Sequence, residues 1–273
     1  MTENTQPRRA NVALIVTTVV GGVLLLAAIG FAAVAGIFSL TRGDSPAQTI
    51  SASADGITEL RIDASAADFT LAYDSDDAGE AVLEASSGRQ EWELRREGSR
   101  LVVEPRGGFP WGWLRLGPDL GQTVVLHLPA ELRDAELDAE LELSSGSLRA
   151  KGGFGELDVE VSSGLLSVEG EAREVDIDVS SGQVEFALAD VAQASIGVSS
   201  GGVVGEFTGR APDDLGIDVS SGRVEVLLPD DSYAVQEEVS SGSVDNRLRT
   251  DPDSRNAVEV SVSSGQVVLR PAD

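Results

Sequence analysis

Cysteine is absent from this chain of 273 residues, and histidine occurs once, as His127. Without cysteine there is no disulfide, no lipid anchor through a thiol and no thiolate metal site, so the fold must hold by packing. A His/Cys zinc set is excluded by the same counts, and a serine nucleophile would have to rely on His127, which sits in a strand beside Pro129. Lysine is nearly missing too: Lys151 stands alone beside 19 arginines. No phosphate-cradling Gly-x-x-x-x-Gly-Lys run exists in the sequence. With 20 basic against 46 acidic residues the formal net charge is −26, a field that argues against nucleic acid as a partner.

Glycine and serine, by contrast, are concentrated in a repeat. The triplet Ser-Ser-Gly ends at Gly146, Gly164, Gly182, Gly201, Gly222, Gly242 and Gly265, with spacings of 18, 18, 19, 21, 20 and 23 residues. That is the length of a unit that stacks on its neighbours instead of closing its own core. Around the third triplet Val175, Ile177 and Val179 alternate with Asp176 and Asp178, and Val184, Phe186 and Leu188 alternate with Glu185 and Ala187. Period two on both sides means two half-buried strands. Val179 and Val184 lie five apart, which a straight strand would place on opposite faces, so the triplet is a corner, which needs a small residue tolerant of positive φ, and its glycine is expected to supply that without steric cost. The common phase predicts one buried column of Val161, Val179, Val198, Val219, Val239 and Val262. The architecture expected is all-β, a parallel β-solenoid (β-helix) of stacked rungs.

Two places depart from the phase. In the sixth repeat Glu237 stands where Val159, Ile177, Ile196 and Ile217 stand elsewhere, and Asn246 stands where Val168, Phe186 and Val226 do. A bulge that turns these side chains outward and a polar site are both open. Gly197, Gly202 and Gly205 soften the fourth repeat. The chain stops just after Val267, Val268 and Leu269, so the seventh repeat is expected to be the uncovered end of the stack, either frayed or paired with another copy.

At the other end, Val12 to Phe38 carries no charge and reads as a transmembrane helix. Arg8 and Arg9 before it place the amino-terminal tail in the cytoplasm by the positive-inside rule, and the repeats outside, at the cell membrane as a single-pass protein. Ala33-Val34-Ala35 is similar to a signal-peptidase site, so an uncleaved anchor and cleavage after Ala35 are alternatives. The expected organisation is a tail at 1–11, the helix at 12–40, a linker at 41–56, an amino-terminal β cap with degenerate rungs at 57–130, and the Ser-Ser-Gly repeats at 131–273. Within the cap, Ala64-Ser65-Ala66-Ala67 takes the corner position of a degenerate first rung. Glu97-Gly98-Ser99 turns a hairpin, and Ser86-Ser87-Gly88 is a candidate eighth triplet.

Val124-Val125-Leu126-His127-Leu128-Pro129-Ala130, a strand ending in Pro-Ala ahead of the tandem strand, corner, strand units from Leu141 onward, resembles the bacterial β-strand-repeat family known as the "putative adhesin" domain, of unknown function. The resemblance covers roughly residues 57 to 270. It implies a right-handed parallel β-solenoid, no catalytic residues and a role at the cell envelope, in surface adhesion or envelope stress.

The remaining candidates are surface features. Glu142, Glu160, Asp178, Asp218 and Glu238 share one outward position, and Glu140, Asp158, Asp176 and Glu259 share another. In register they form two acidic columns, whose oxygens could hold Ca²⁺ or Mg²⁺ weakly, meet a cationic protein, or simply keep the surface solvated. Trp111 and Trp113 lie in an aromatic loop suited to plugging an open end, stacking on sugars or sitting at a membrane interface. The function expected is a non-catalytic, membrane-anchored adhesion or envelope-sensing module without cofactor, with a cell-wall or protein partner and self-association through the span or the solenoid end. Alternatives are a carbohydrate-active β-helix enzyme, or a structural or regulatory subunit of an envelope-stress membrane complex.

Overall fold

Alternating apolar and polar residues fold here into strands almost throughout. The computed structural model describes residues 46–75, 79–88, 90–106 and 121–272. Its strands are Gln48–Ser53 (β1), Glu59–Ser75 (β2), Glu80–Ala85 (β3), Glu91–Glu97 (β4), Arg100–Arg106 (β5), Gln122–Pro129 (β6), Leu137–Val161 (β7), Leu165–Val179 (β8) and Gln183–Ala189 (β9). They continue as Gln193–Val198 (β10), Gly202–Thr208 (β11), Asp214–Val219 (β12), Arg223–Leu228 (β13), Ser232–Val239 (β14), Ser243–Asn246 (β15), Arg249–Thr250 (β16), Ala257–Val262 (β17) and Gln266–Pro271 (β18). A 3-10 turn at Ala130–Leu132 follows β6.

All-β is the right class, but the expected right-handed parallel β-solenoid is corrected: the strands join in one 18-stranded mixed sheet. The pairs β1–β3, β3–β6 and β4–β5 run antiparallel. For β4–β5 the physical cause is connection length. Gly98 and Ser99 are the only residues between β4 and β5, and so short a link can return the chain only antiparallel, with Gly98 at φ +66° making the turn. The Ser86-Ser87-Gly88 triplet belongs to this region and is not a stacked corner; Ser86 exchanges hydrogen bonds with Thr123 of β6.

Parallel pairing links the repeats. Leu157↔Val175, Val159↔Ile177 and Val161↔Val179 pair across β7 and β8, and the same register continues through β10 and β12. Backbone bonds pass round the corners as well, Ser180 N–H to Val161 O and Ser181 N–H to Ser162 O being typical. β2 takes the degenerate first-rung position against β7, with register shifts flanking Ser65 and Ala66 at φ +55°.

The order of the last two repeats is not the order of the sequence. β12 pairs with β17 and β17 with β14, while β13 pairs with β18 and β18 with β15. The carboxyl-terminal repeat is thus inserted between the fifth and the sixth. A Cβ on Gly265 would strike Val219 and the Gly222 carbonyl, and one on Gly242 would strike Val262 and the Gly265 carbonyl, which gives the same order independently. The seventh repeat is therefore not an uncovered end. Val258, Val260, Val262, Val267 and Leu269 are all buried.

The sixth repeat becomes the outer layer, and its composition follows. Glu237 and Asn246, apolar positions elsewhere, face each other across the corner, with Asn246 Nδ2 donating to Glu237 Oε1 at 3.0 Å. Val161, Val179, Val198, Val219 and Val262 form the buried column, whereas Val239 is 43% exposed because no repeat covers it. Gly205 of the fourth repeat also has a cause: the Phe186 ring fills the space a Cβ there would need, and packs tilted against Phe207 with ring centroids 4.8 Å apart.

No helix among the described residues is long and apolar enough to cross a membrane. The expected span, Val12 to Phe38, lies outside the described residues, as do the tail and Ala33-Val34-Ala35. The single-pass membrane anchor is corrected accordingly, together with the cell-membrane localisation that placed the amino terminus in the cytoplasm and the repeats outside.

Candidate binding face

The first arm of each repeat, before its corner, contributes three outward side chains to one face of the sheet. Parallel register puts equivalent residues side by side at about 4.8 Å. From the amino-terminal end the rows are Glu59, Arg61, Asp63; Asp138, Glu140, Glu142; Glu156, Asp158, Glu160; and Glu174, Asp176, Asp178. Every one of these positions except Arg61 is a carboxylate.

Beyond them the face changes character. The next rows are Gln193, Ser195, Gly197; Asp214, Gly216, Asp218; Ala257, Glu259, Ser261; and Ala234, Gln236, Glu238. Small residues at Gly197 and Gly216 leave a groove of about 630 Å³, edged by Asp178, Asp218, Glu238 and Glu259. The five carboxylates of the sequence-derived column are therefore not contiguous. Glu142, Glu160 and Asp178 adjoin, but Gly197 separates Asp178 from Asp218, and Ser261 separates Asp218 from Glu238. Among the described residues no group of three His, Cys, Asp or Glu is placed to hold a metal ion.

Arg61 shows what this face does to a cation. Its Nη1 donates to both oxygens of Glu140, at 2.7 and 2.9 Å, and its Nη2 donates to Glu142 Oε1 at 2.8 Å. One guanidinium thus bridges two outward columns of one row, the planar fork matching carboxylate geometry. Arg61 was not among the residues singled out from the sequence. The signal was available in Leu60-Arg61-Ile62, where a lone cation takes the outward phase that later repeats give to acids.

The crowding of like charge shows in the titration of two groups. Loss of water among neighbouring side chains pushes the Asp158 carboxyl up, and Asp176, Glu140, Glu156 and Asp178 push it the same way. Glu142 is also raised by desolvation, opposed by the Arg61 guanidinium and reinforced by Asp63, Glu140 and Glu160. No arginine or lysine of the described residues pairs with Asp158, Glu160, Asp176 or Asp178.

Arg100 of β5 pairs with Glu59 of the first row, and further basic side chains sit on the second arms. Lys151 pairs with Glu169, Arg247 with Asp245, and Arg270 with Glu225 at 3.2 Å. His127 is on the cap strand β6, with Nδ1 2.7 Å from Asp74 Oδ1. Trp111 and Trp113 lie outside the described residues. The corner glycines 146, 164, 182, 201, 222, 242 and 265 are packing positions, each too close to its neighbouring repeat to admit a Cβ. Only Gly146 and Gly164 among them have positive φ, so close approach, and not a left-handed turn, is the general reason for glycine here.

No family model and no curated protein matches the chain. Among solved structures it is similar to a "putative adhesin" of Parabacteroides distasonis ATCC 8503, at 16% identity over 84% of this chain and 98% of that one, with a TM-score of 0.45. A "putative adhesin" of Bacteroides fragilis NCTC 9343 is similar at 9% identity over 84% and 98%, with a TM-score of 0.44. A "putative lipid binding protein" of P. distasonis is similar at 16% identity over 85% and 98%, with a TM-score of 0.37. The adhesin names agree with the family resemblance drawn from residues 57 to 270.

Proposed function

We propose that the chain is a non-catalytic, adhesion-type binding module that needs no cofactor and meets a cationic partner through the acidic face of its first arms. The observation that carries this reading is the Arg61 fork on Glu140 and Glu142. Asp158 with Glu160, and Asp176 with Asp178, repeat the same two columns in the next rows without a cation of their own. A partner presenting guanidinium or ammonium groups would neutralise repelling carboxylates, so association is favoured by relief of repulsion as well as by attraction. A protein or a cell-wall polymer bearing such groups fits equally. Parallel strands locked into both neighbours hold the carboxylates in place before binding, which lowers the ordering cost.

Binding of poly-L-arginine to the full chain, followed by calorimetry, tests this. The variant Asp158→Asn, Glu160→Gln, Asp176→Asn, Asp178→Asn should bind at least about tenfold more weakly, and wild-type binding should weaken as salt rises through the range where the Debye length falls below about 10 Å. Equal affinity of a folded variant and the wild type would overturn the assignment of this face.

A further inference from the structure

The carboxyl-terminal repeat occupies a slot rather than an end. β17 and β18 are bonded on one side to β12 and β13 and on the other to β14 and β15. Ser263 N–H donates to Val219 O and Gln266 N–H to Gly222 O below, while Ser240 N–H donates to Val262 O and Ser243 N–H to Gly265 O above. Removing β17 and β18 would leave two facing strand edges separated by about two strand spacings, roughly 9.6 Å. Such a slot accepts one more strand–corner–strand unit of the same phase and nothing wider.

We propose that this slot is a strand-acceptor site and that its partner is the carboxyl-terminal repeat of a second copy of this chain, exchanged reciprocally. Two observations favour that occupant. β17 and β18 are joined to β15 by Arg247–Asn256, the longest connection between two repeats, in which Asp251, Pro252, Asp253 and Arg255 are exposed. The inserted unit is also the one whose side chains the slot already fits, with Val258, Val260, Val262, Val267 and Leu269 buried and Gly265 seated on Val219 and Gly222. A second copy offers those contacts unchanged, so exchange alters only the connection, and mass action decides between closed and exchanged forms.

Anchoring of the connection sets where it hinges. Its first part is tied to the sixth repeat, since Arg249 and Thr250 pair with Ser232 and Tyr233 and the Asp251 N–H donates to Tyr233 O. Its last part is tied there as well, through Ser254 Oγ and Asn256 Nδ2, both donating to Ser232 O. Shortening the chain between these ties, by deleting Pro252 and Asp253, prevents the return into its own slot while leaving the unit able to reach another.

Because the chain has no cysteine, single cysteines report exchange directly. Asp218 and Ser261 are register partners on the outer face of β12 and β17. Full chains carrying Asp218→Cys and Ser261→Cys separately are mixed at high concentration, warmed below unfolding, cooled and oxidised. A disulfide joining position 218 of one chain to position 261 of the other is expected. It should exceed by at least tenfold the product obtained when Asp176→Cys replaces Asp218→Cys, and deleting Pro252 and Asp253 should raise it further and move the protein to a dimer in sedimentation. A deletion variant that sediments as a folded monomer, or a mixed disulfide no more abundant than with Asp176→Cys, overturns the proposal.

Discussion

Two valines at equivalent positions in the repeat separate burial from sequence context. Val179 is 2% exposed between its neighbours and Val239 is 43% exposed on the outer layer. Val179→Asp buries an uncompensated carboxylate and should cost about 2–5 kcal/mol in denaturant unfolding, whereas Val239→Asp should stay within about 0.5 kcal/mol. Glycine gives a second contrast. Gly265→Ala forces a methyl against Val219 and the Gly222 carbonyl and should destabilise by about 1–3 kcal/mol. A Cβ on Gly216 meets nothing within 4 Å, so Gly216→Ala should be neutral or stabilising by about 0.4–1 kcal/mol. Thermal melts of the four variants check both contrasts.

At the scale of the element, β7 and β8 carry a face whose charges oppose one another. Asp158 and Glu142 are both raised by the fold, so each is more easily protonated folded than unfolded. A raised carboxyl contributes stability that is full below its unfolded value and lost as pH rises through its folded value. The melting temperature should therefore fall as pH rises through the carboxylate range just above the ordinary value of aspartate. Asp158→Asn removes one repelling charge, so it should melt higher than the wild type at pH 7, and the difference should shrink on acidification. A melting series against pH for both proteins measures this. The phenols behave differently: burial pushes Tyr73 and Tyr233 up to about 12, so neither contributes to that slope near neutrality.

For the whole molecule the decisive feature is the interleaved last repeat. Deleting 257–273 removes an interior layer, not an end, and strips the fifth and sixth repeats of their shared partner at once. Proteolysis of the truncated chain should cut first within β14 and β15, while β7 to β11 stay protected; an uncut β14 would show that the sixth repeat docks without the seventh. The opposite end is closed by the mixed strands β1 to β6, where the Trp92 ring packs on Phe69 at 5.9 Å and the Trp92 backbone N–H donates to Gln48 Oε1. Strand edges are thus managed by a cap of mixed strands at one end and a polar outer layer at the other.

Period-two patterning, the corner triplets, the hairpin at Gly98 and the buried valines were legible in the sequence, because each depends on residues close along the chain and on which side of a strand they fall. The acidic rows were legible for the same reason, once equivalent positions were placed in register. Which repeat lies on which was not, because every repeat offers the same edge, the same corner and the same apolar phase, so the ladder is nearly degenerate in local terms. Glu237, Asn246 and the longest spacing, 23 residues before Gly265, carried the signal for an outer sixth repeat and a returning chain. Only the tertiary structure combined them, since the gain from burying Val267 and Leu269 on both sides outweighs closing a ten-residue connection, and a stack whose outermost layer is its most polar one leaves the least apolar surface in water.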